Sequence, residues 1–238
     1  MKRAGVLFTG GKDSVYALHK AVSSGLNVVV LLTIVPHYKY SMLYHQPYFE
    51  VLRAQAQSLN IPLESAGVYD PEKEVEYLDY LVGRALKMYN IKVLVSGAIK
   101  SRFQRRVFES VAEKWGLELY VPHWGLDDYE YMKALLDYGI EFITISITAM
   151  GIPHSILGRK FTKEDLELLS KLSTKYGFNL SFEGGEAETL VVDAPLFRYT
   201  IEVEGDVIRV SEFESYFQVK KYKLVKKKPC YGGAPVLV

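Results

Sequence analysis

FTGGKDSV, residues 8–15, is the stretch that decides how this chain is read. It follows a short apolar run over residues 4–8, which reads as a strand. It opens residues 13–24, where Val15, Leu18 and Val22 fall on one helical face. Gly10 and Gly11 carry no Cβ and let the backbone come close to an anion. Ser14 and the neighbouring amides lie at the predicted helix N-terminus, where unpaired N–H groups and the helix dipole favour phosphate. Lys12 supplies a point charge, and Asp13 can hold Mg²⁺ through oxygen. The spacing is neither GxxxxGK[ST] nor GxGxxG. A glycine turn with capping residues would use some of the same residue types. The order strand, GGKDS, helix at the head of an α/β pattern favours nucleotide binding.

Working outward, apolar and amphipathic segments alternate. Residues 27–35 form a near-continuous β-branched run, as expected of a strand buried on both faces. Helix over 47–59, strand over 63–66, helix over 72–89 behind Pro71, strand over 92–96, helix over 101–115 and strand over 117–121 follow. Such alternation implies right-handed crossovers and a mostly parallel five-stranded sheet covered on both faces. The rhythm changes at residues 122–126, which predicts two domains, 1–124 and 125–238. In the second, 127–138 and 162–176 read as helices and 141–147 as a strand. Runs at 199–204 and 207–212 flank Gly205-Asp206, a hairpin signal. The alternating run 215–225 is rich in lysine and reads as a Lys-protected edge strand. The second domain is thus α+β, smaller than the first.

Composition sets the outer bounds. Hydrophobic residues are 49% and charged residues 24% of the 238, which excludes disorder, collagen and a coiled coil. The formal net charge of +1 argues against holding nucleic acid by bulk attraction, so no stable nucleic-acid binding is expected. The one cysteine, Cys230, excludes an intrachain disulfide and a cysteine-cluster metal site, and points to a reducing, cytoplasmic setting. The longest apolar run is far short of a membrane span, and Lys2-Arg3 precede no signal peptide. A homo-oligomer is left open.

TGGKDS resembles the SGGKDS signature of PP-loop ATP pyrophosphatases, with Thr9 in place of the usual first serine. Two further segments, SGAIKSRFQRRVFE (96–109) and EGGEAETLVVDAPLF (183–197), extend the likeness over essentially the whole chain. Together they resemble the diphthine–ammonia ligase, or diphthamide synthetase, family in its short archaeal type, without the long C-terminal extension of eukaryotic members. Ala187 departs from the tyrosine usual there. The resemblance implies a Rossmann-like PP-loop (HUP-type) domain with strand order 3-2-1-4-5 and a small family-specific second domain. It also implies a reaction. ATP adenylates the carboxylate of diphthine on translation elongation factor two, ammonium supplies the nitrogen of the amide, and AMP and pyrophosphate leave.

The resemblance distributes the candidate residues. Thr9, Gly10, Gly11, Lys12, Asp13 and Ser14 would hold ATP, with Asp13 on Mg²⁺. Gly97 and Ala98, at a strand's carboxyl end, fall where open α/β sheets bind ligands, and the family places them by ribose or adenine. Thr33 could meet adenine, or be plain buried strand. Arg102, Arg105 and Arg106 could gather an anion, with Ser101 capping their helix and Gln104 beside substrate; an Arg105–Glu109 pair on an exposed helix is the plainer alternative. Glu183, Glu186, Glu188 and Asp193 cluster around Gly184-Gly185. They could bind ammonium, a trimethylammonium group or Mg²⁺, or deprotonate NH₄⁺. Ser41, Met42 and His45 match a family pattern in a Tyr- and His-rich loop that could cover nucleotide or wall a quaternary ammonium. Two rivals stay open: a PP-loop ligase acting on tRNA, and an ATP-binding protein without turnover. Thiolating and glutamine-dependent relatives need cysteines this chain lacks.

Overall fold

The computed structural model describes residues 1–38 and 48–227. The chain divides into two compact units, Met1–Trp124 and Gly125–Val238.

In the first unit the elements are β1 (Arg3–Leu7), α1 (Lys12–Ser23), β2 (Asn27–Pro36), α2 (Phe49–Leu59), β3 (Leu63–Val68), α3 (Glu74–Tyr89), β4 (Val93–Val95), α4 (Arg102–Lys114) and β5 (Glu118–Tyr120). A 3-10 turn, Pro71–Lys73, precedes α3, and the Asp70 carboxylate accepts the Glu72 N–H at its start. The strands order as β3-β2-β1-β4-β5, and every pairing is parallel. Moving from β1 through β2 to β3 and then back across to β4 with right-handed crossovers puts α1 and α2 on one face, α3 and α4 on the other. The α3/α4 face is a closed apolar layer in which Val30, Leu32 and Ile34 of β2 meet Leu78, Leu81, Val82, Phe108 and Val111. Leu31 and Thr33, one residue out of phase on β2, therefore face α1 and α2.

The second unit holds α5 (Asp128–Asp137), β6 (Glu141–Ile147), α6 (Lys163–Tyr176), β7 (Ala187–Asp193), β8 (Tyr199–Arg209) and β9 (Ser215–Lys226). Its sheet runs β7-β6-β9-β8, all antiparallel. Phe142, Ile143, Thr144 and Ile145 of β6 are all buried, and Phe142 stacks on Phe161 at 4.9 Å. A Thr162/Asp165 capping box starts α6, and Arg159 grips Asp165 through two bonds of 2.7 and 2.6 Å.

One expectation for this unit is corrected and another is narrowed. Gly205-Asp206 is not a hairpin turn. The strand β8 continues through it, with a register shift between Glu204 and Gly205, and the chain turns at residues 210–214, where Val210 and Ser211 N–H groups donate to Glu214 O. A Cβ at Gly205 would strike the Gln218 carbonyl of β9, so the glycine serves a close backbone approach at a bulge. The lysine-rich β9 meets β6 only at Ser215 and Tyr216; from Phe217 to Lys226 its ladder among the described residues is with β8 alone, so this stretch keeps one edge side, and Lys223 and Lys221 stand opposite Glu202 and Glu204, while Lys220 pairs with Asp206. Replacing Gly205 by alanine should lower the stability of the full chain by about 1–3 kcal/mol in chemical denaturation. A turn glycine with open space around it would tolerate the methyl group.

Candidate functional site

The glycine loop is built by contacts from three segments of the first unit. β1 ends at Leu7, and the Phe8 N–H still donates to Leu32 O at 2.8 Å. Gly10 then turns with φ +75°, a backbone region that disfavours side chains. Gly11 is the N-cap of α1 and, having no side chain, makes no cap bond to the first-turn amides. Ser14 knits the loop: its hydroxyl accepts from Thr9 N and Thr9 Oγ1, both at 3.2 Å, and donates to Gly11 O at 3.1 Å. The Lys12 side chain is only 2% exposed and pairs with Asp13 at 2.9 Å. From the far side, the buried Gln55 of α2 donates to Gly10 O at 2.9 Å. The result is a cradle of backbone N–H groups and one buried ammonium, which fits an anion of phosphate type. The Asp13 carboxylate, 33% exposed, fits a magnesium ion that shares its shell with phosphate oxygens and water. Among the described residues, no three His, Cys, Asp or Glu side chains gather into a metal-binding group.

The loop after β4 closes onto this cradle. A Cβ at Gly97 would lie 2.6 Å from the Asp13 carbonyl carbon and 2.8 Å from Ser14 N, so only glycine lets the two backbones touch. Ala98, buried, donates its N–H to Ser96 Oγ at 3.2 Å. Thr33 is 2% exposed, and its hydroxyl has no hydrogen-bond partner among the described residues. An orphaned buried hydroxyl at the carboxyl half of β2 leaves a hydrogen-bonding group for a ligand. His123 stacks on Tyr16 of α1 with ring centroids 4.6 Å apart and planes 5° apart. Burial pushes its imidazole down to about 4; the nearby Asp13 charge opposes this, and Lys20 and Lys12 assist it.

On α4, Ser101 is the N-cap and accepts the Gln104 N–H at 3.3 Å. Arg105 bonds Glu109 at 2.6 Å and lies 4.5 Å above the Trp124 ring, so its charge already has two partners. Arg106 bends back on the Arg102 carbonyl at 3.3 Å, and both Arg102 and Arg106 are exposed. The three arginines fall within one turn of α4.

In the second unit, residues 179–186 form a tight loop ahead of β7. Asn179 Oδ1 accepts from Ser181 N and Oγ at 2.9 and 2.7 Å. Phe182 takes φ +62°, a strained value for a bulky side chain, and is held there by burial and an edge contact with Phe161. Gly185, at φ +83°, completes the turn with its N–H on Phe182 O at 3.2 Å. Thr148 ties the loop to the end of β6, its N–H on Glu186 O at 2.9 Å and its hydroxyl on Gly185 O at 2.6 Å. The Glu186 side chain folds back over Gly184. Its Oε1 accepts the Asn179 N–H at 2.9 Å, and its Oε2 is buried with no partner among the described residues. A buried carboxylate oxygen without a donor is unfavourable by ~1–3 kcal/mol or more, and fits a cationic or N–H-bearing ligand.

The acidic residues do not form one group. Glu188 pairs with Ser146 on β6, whereas Asp193 stands opposite Glu141 at the other end of β7. Five steps along the strand separate them by about 17 Å. Asp193 is engaged by Lys227, by Thr200 at 2.8 Å and by Ala194 N at 2.7 Å, which makes it a corner of the sheet. Glu183 and Gly184 remain in the loop with Glu186. Ser41, Met42 and His45 lie outside the described residues. Gln55 was absent from the sequence reading. Nothing marks it in the sequence except a glutamine on an otherwise apolar helix face.

A strand, an uncapped glycine loop and a helix at the head of a parallel sheet in the order 3-2-1-4-5 define the first unit as an α/β domain of PP-loop type. The diphthamide synthase N-terminal domain matches residues 1–119, and the diphthamide synthase C-terminal domain matches residues 127–225. The chain belongs to the diphthamide synthase family, a family of ligases. Diphthine–ammonia ligase of Schizosaccharomyces pombe is 30% identical over 94% of this chain, which spans 39% of that protein's length. The ligases of Danio rerio and Rattus norvegicus are 29% and 27% identical, over 84% and 93% of this chain and 85% and 90% of their own lengths. Among solved structures, a predicted subunit of tRNA methyltransferase from Methanocaldococcus jannaschii superposes with a TM-score of 0.42 at 15% identity, over 82% of this chain and all of that one. No helix among the described residues is long and apolar enough to cross a membrane.

Replacing Gly97 by alanine should lower the melting temperature by several degrees, because backbone rather than a flexible side chain opposes the new methyl group. His123 makes a pH-dependent contribution. Between pH 6.5 and about 4 the unfolded chain takes up a proton at this position that the folded chain does not. Stability therefore falls as pH drops through that window, by up to roughly 3 kcal/mol. Unfolding free energies measured across it should fall less steeply in a His123→Phe variant.

Proposed function

We propose that this chain is an ATP-dependent amide ligase that converts diphthine on translation elongation factor two to diphthamide, with ammonium as nitrogen source. The observation that carries the reading is the cradle at residues 9–14, an uncapped helix N-terminus with a buried lysine, in a chain whose two halves both match diphthamide synthase domains.

In this reading Thr9, Gly10, Gly11, Lys12 and Ser14 hold the phosphates of ATP, and Asp13 holds Mg²⁺, which would offset phosphate charge. Thr33, Gly97 and Ala98 border the nucleoside. Arg105, now on Glu109, and Arg102 are within the same helix turn and add positive charge for the leaving pyrophosphate. A carboxylate oxygen of diphthine attacks the α-phosphorus and the bond to the β-phosphate oxygen breaks, giving an acyl-adenylate and pyrophosphate. Ammonia then attacks the acyl carbon, AMP departs with the former carboxylate oxygen, and the nitrogen gives up a proton. Neither half needs covalent help from the protein, so its contribution is positioning and charge stabilisation. Glu186, with one buried oxygen lacking a donor among the described residues, is assigned to the nitrogen donor or its proton, and Glu183, Gly184, Gly185 and Glu188 of the same segment are assigned to the substrate side of that unit; Gln104 is assigned to substrate on the first unit. Asp193 is assigned to holding the end of β7.

The test separates nucleotide products. Protein, ATP, Mg²⁺ and ammonium are incubated with and without elongation factor two bearing diphthine. AMP should form only with the factor and continue only with ammonium. Asp13→Ala and Glu186→Ala should each reduce amide formation about 100-fold or more. Full amide formation in both variants would remove the site assignment. AMP formed with tRNA instead would move the substrate, and bound ATP without products would make the chain a nucleotide-binding protein.

A further inference from the structure

We propose that Gln55 is a positioning residue that fixes the Gly10–Gly11 peptide so that the Gly11 N–H is presented to a phosphate group; this rests on the phosphate reading of the glycine loop. Gln55 lies 45 positions along the chain from Gly10, and its side chain is fully buried on an α2 face otherwise made of Val51, Leu52, Ala54, Ala56 and Leu59 with one serine. A buried carboxamide is costly unless bonded, and this one gives an N–H to Gly10 O at 2.9 Å. The carbonyl and N–H of a trans peptide point in opposite directions. Holding Gly10 O toward α2 therefore aims the Gly11 N–H away from α2, at the N-cap of α1 where an anion would sit. Flipping that peptide would break the buried bond and turn a carbonyl oxygen toward the phosphate. The carboxamide oxygen occupies the place a Cβ at Gly10 would need, so the two residues are fitted to each other.

Gln55→Met keeps the volume and deletes the donor. Gln55→Glu keeps the shape and makes donation depend on protonation, since only the neutral acid carries an O–H toward Gly10 O. ATP·Mg²⁺ and pyrophosphate binding to the full chain are measured by calorimetry, with thermal unfolding of the unliganded proteins alongside. The expected result is about tenfold weaker binding of both ligands in Gln55→Met. In Gln55→Glu, binding should be weak at pH 8 and recover several-fold, relative to wild type, at pH 5.5. Amide NMR gives the geometric readout: the Gly11 resonance should shift with pyrophosphate in wild type and stay in place in Gln55→Met. Where Gln55→Met unfolds, the pH series on Gln55→Glu decides. Wild-type affinity and a wild-type Gly11 shift in the folded variants would overturn the role of Gln55 and leave the phosphate reading intact. A wild-type chain that binds neither ligand would overturn both.

Discussion

Close backbone packing around residues 9–14 is the constraint on which the first unit turns. β1 must pass directly into α1 through a loop with one residue in a left-handed conformation, Gly10, and another backbone, at Gly97, pressed against Asp13 and Ser14. A side chain at either position would open the loop. The parallel sheet makes this possible, because β1 and β4 are adjacent strands whose carboxyl ends deliver their loops to the same place. Helix α2 adds the third wall through Leu52 and Gln55. The anion site proposed here rests on this backbone frame, with the charge of Lys12 held close by in a buried position.

The second unit obtains a comparable rigidity by different means. Its loop at residues 179–186 contains a strained Phe182 and a left-handed Gly185, and both conformations persist because Asn179, Thr148 and the Phe142–Phe161–Phe182 aromatic cluster over-determine them. The product of that constraint is a carboxylate, Glu186, fixed with one oxygen satisfied and one not.

Much of the first unit was legible in the sequence because parallel strands buried on both faces announce themselves as apolar runs, and their crossover helices as amphipathic ones. β2 began at Asn27 as read and ran one residue further, to Pro36. The glycine loop was legible because GGKDS combines conformational freedom and charge in five consecutive residues. Errors arose where the decisive partner is remote. Gly205 has the composition of a turn and the structure of a bulge, since what it accommodates is the Gln218 carbonyl on another strand. Asp193 looked like part of the acidic group because sequence distance does not show that β7 extends in a straight line between them. Gln55 could not be paired with Gly10 without knowing that α1 and α2 share a face.

The opposed charges of β8 and β9 have a consequence for how the molecule is seen from a distance. Counted along the chain, the lysines of β9 look like a polycation. Folded, Lys223 and Lys221 stand across from Glu202 and Glu204, and Lys220 is paired with Asp206. Each such row is an electric dipole a few ångströms long, and the field of a dipole dies away faster than that of a net charge. Beyond one screening length of about 8 Å at physiological salt, this ribbon exerts little pull on an approaching polyanion. Recognition on this face would have to come from contact, after arrival, and the arrival rate itself would be nearly indifferent to ionic strength.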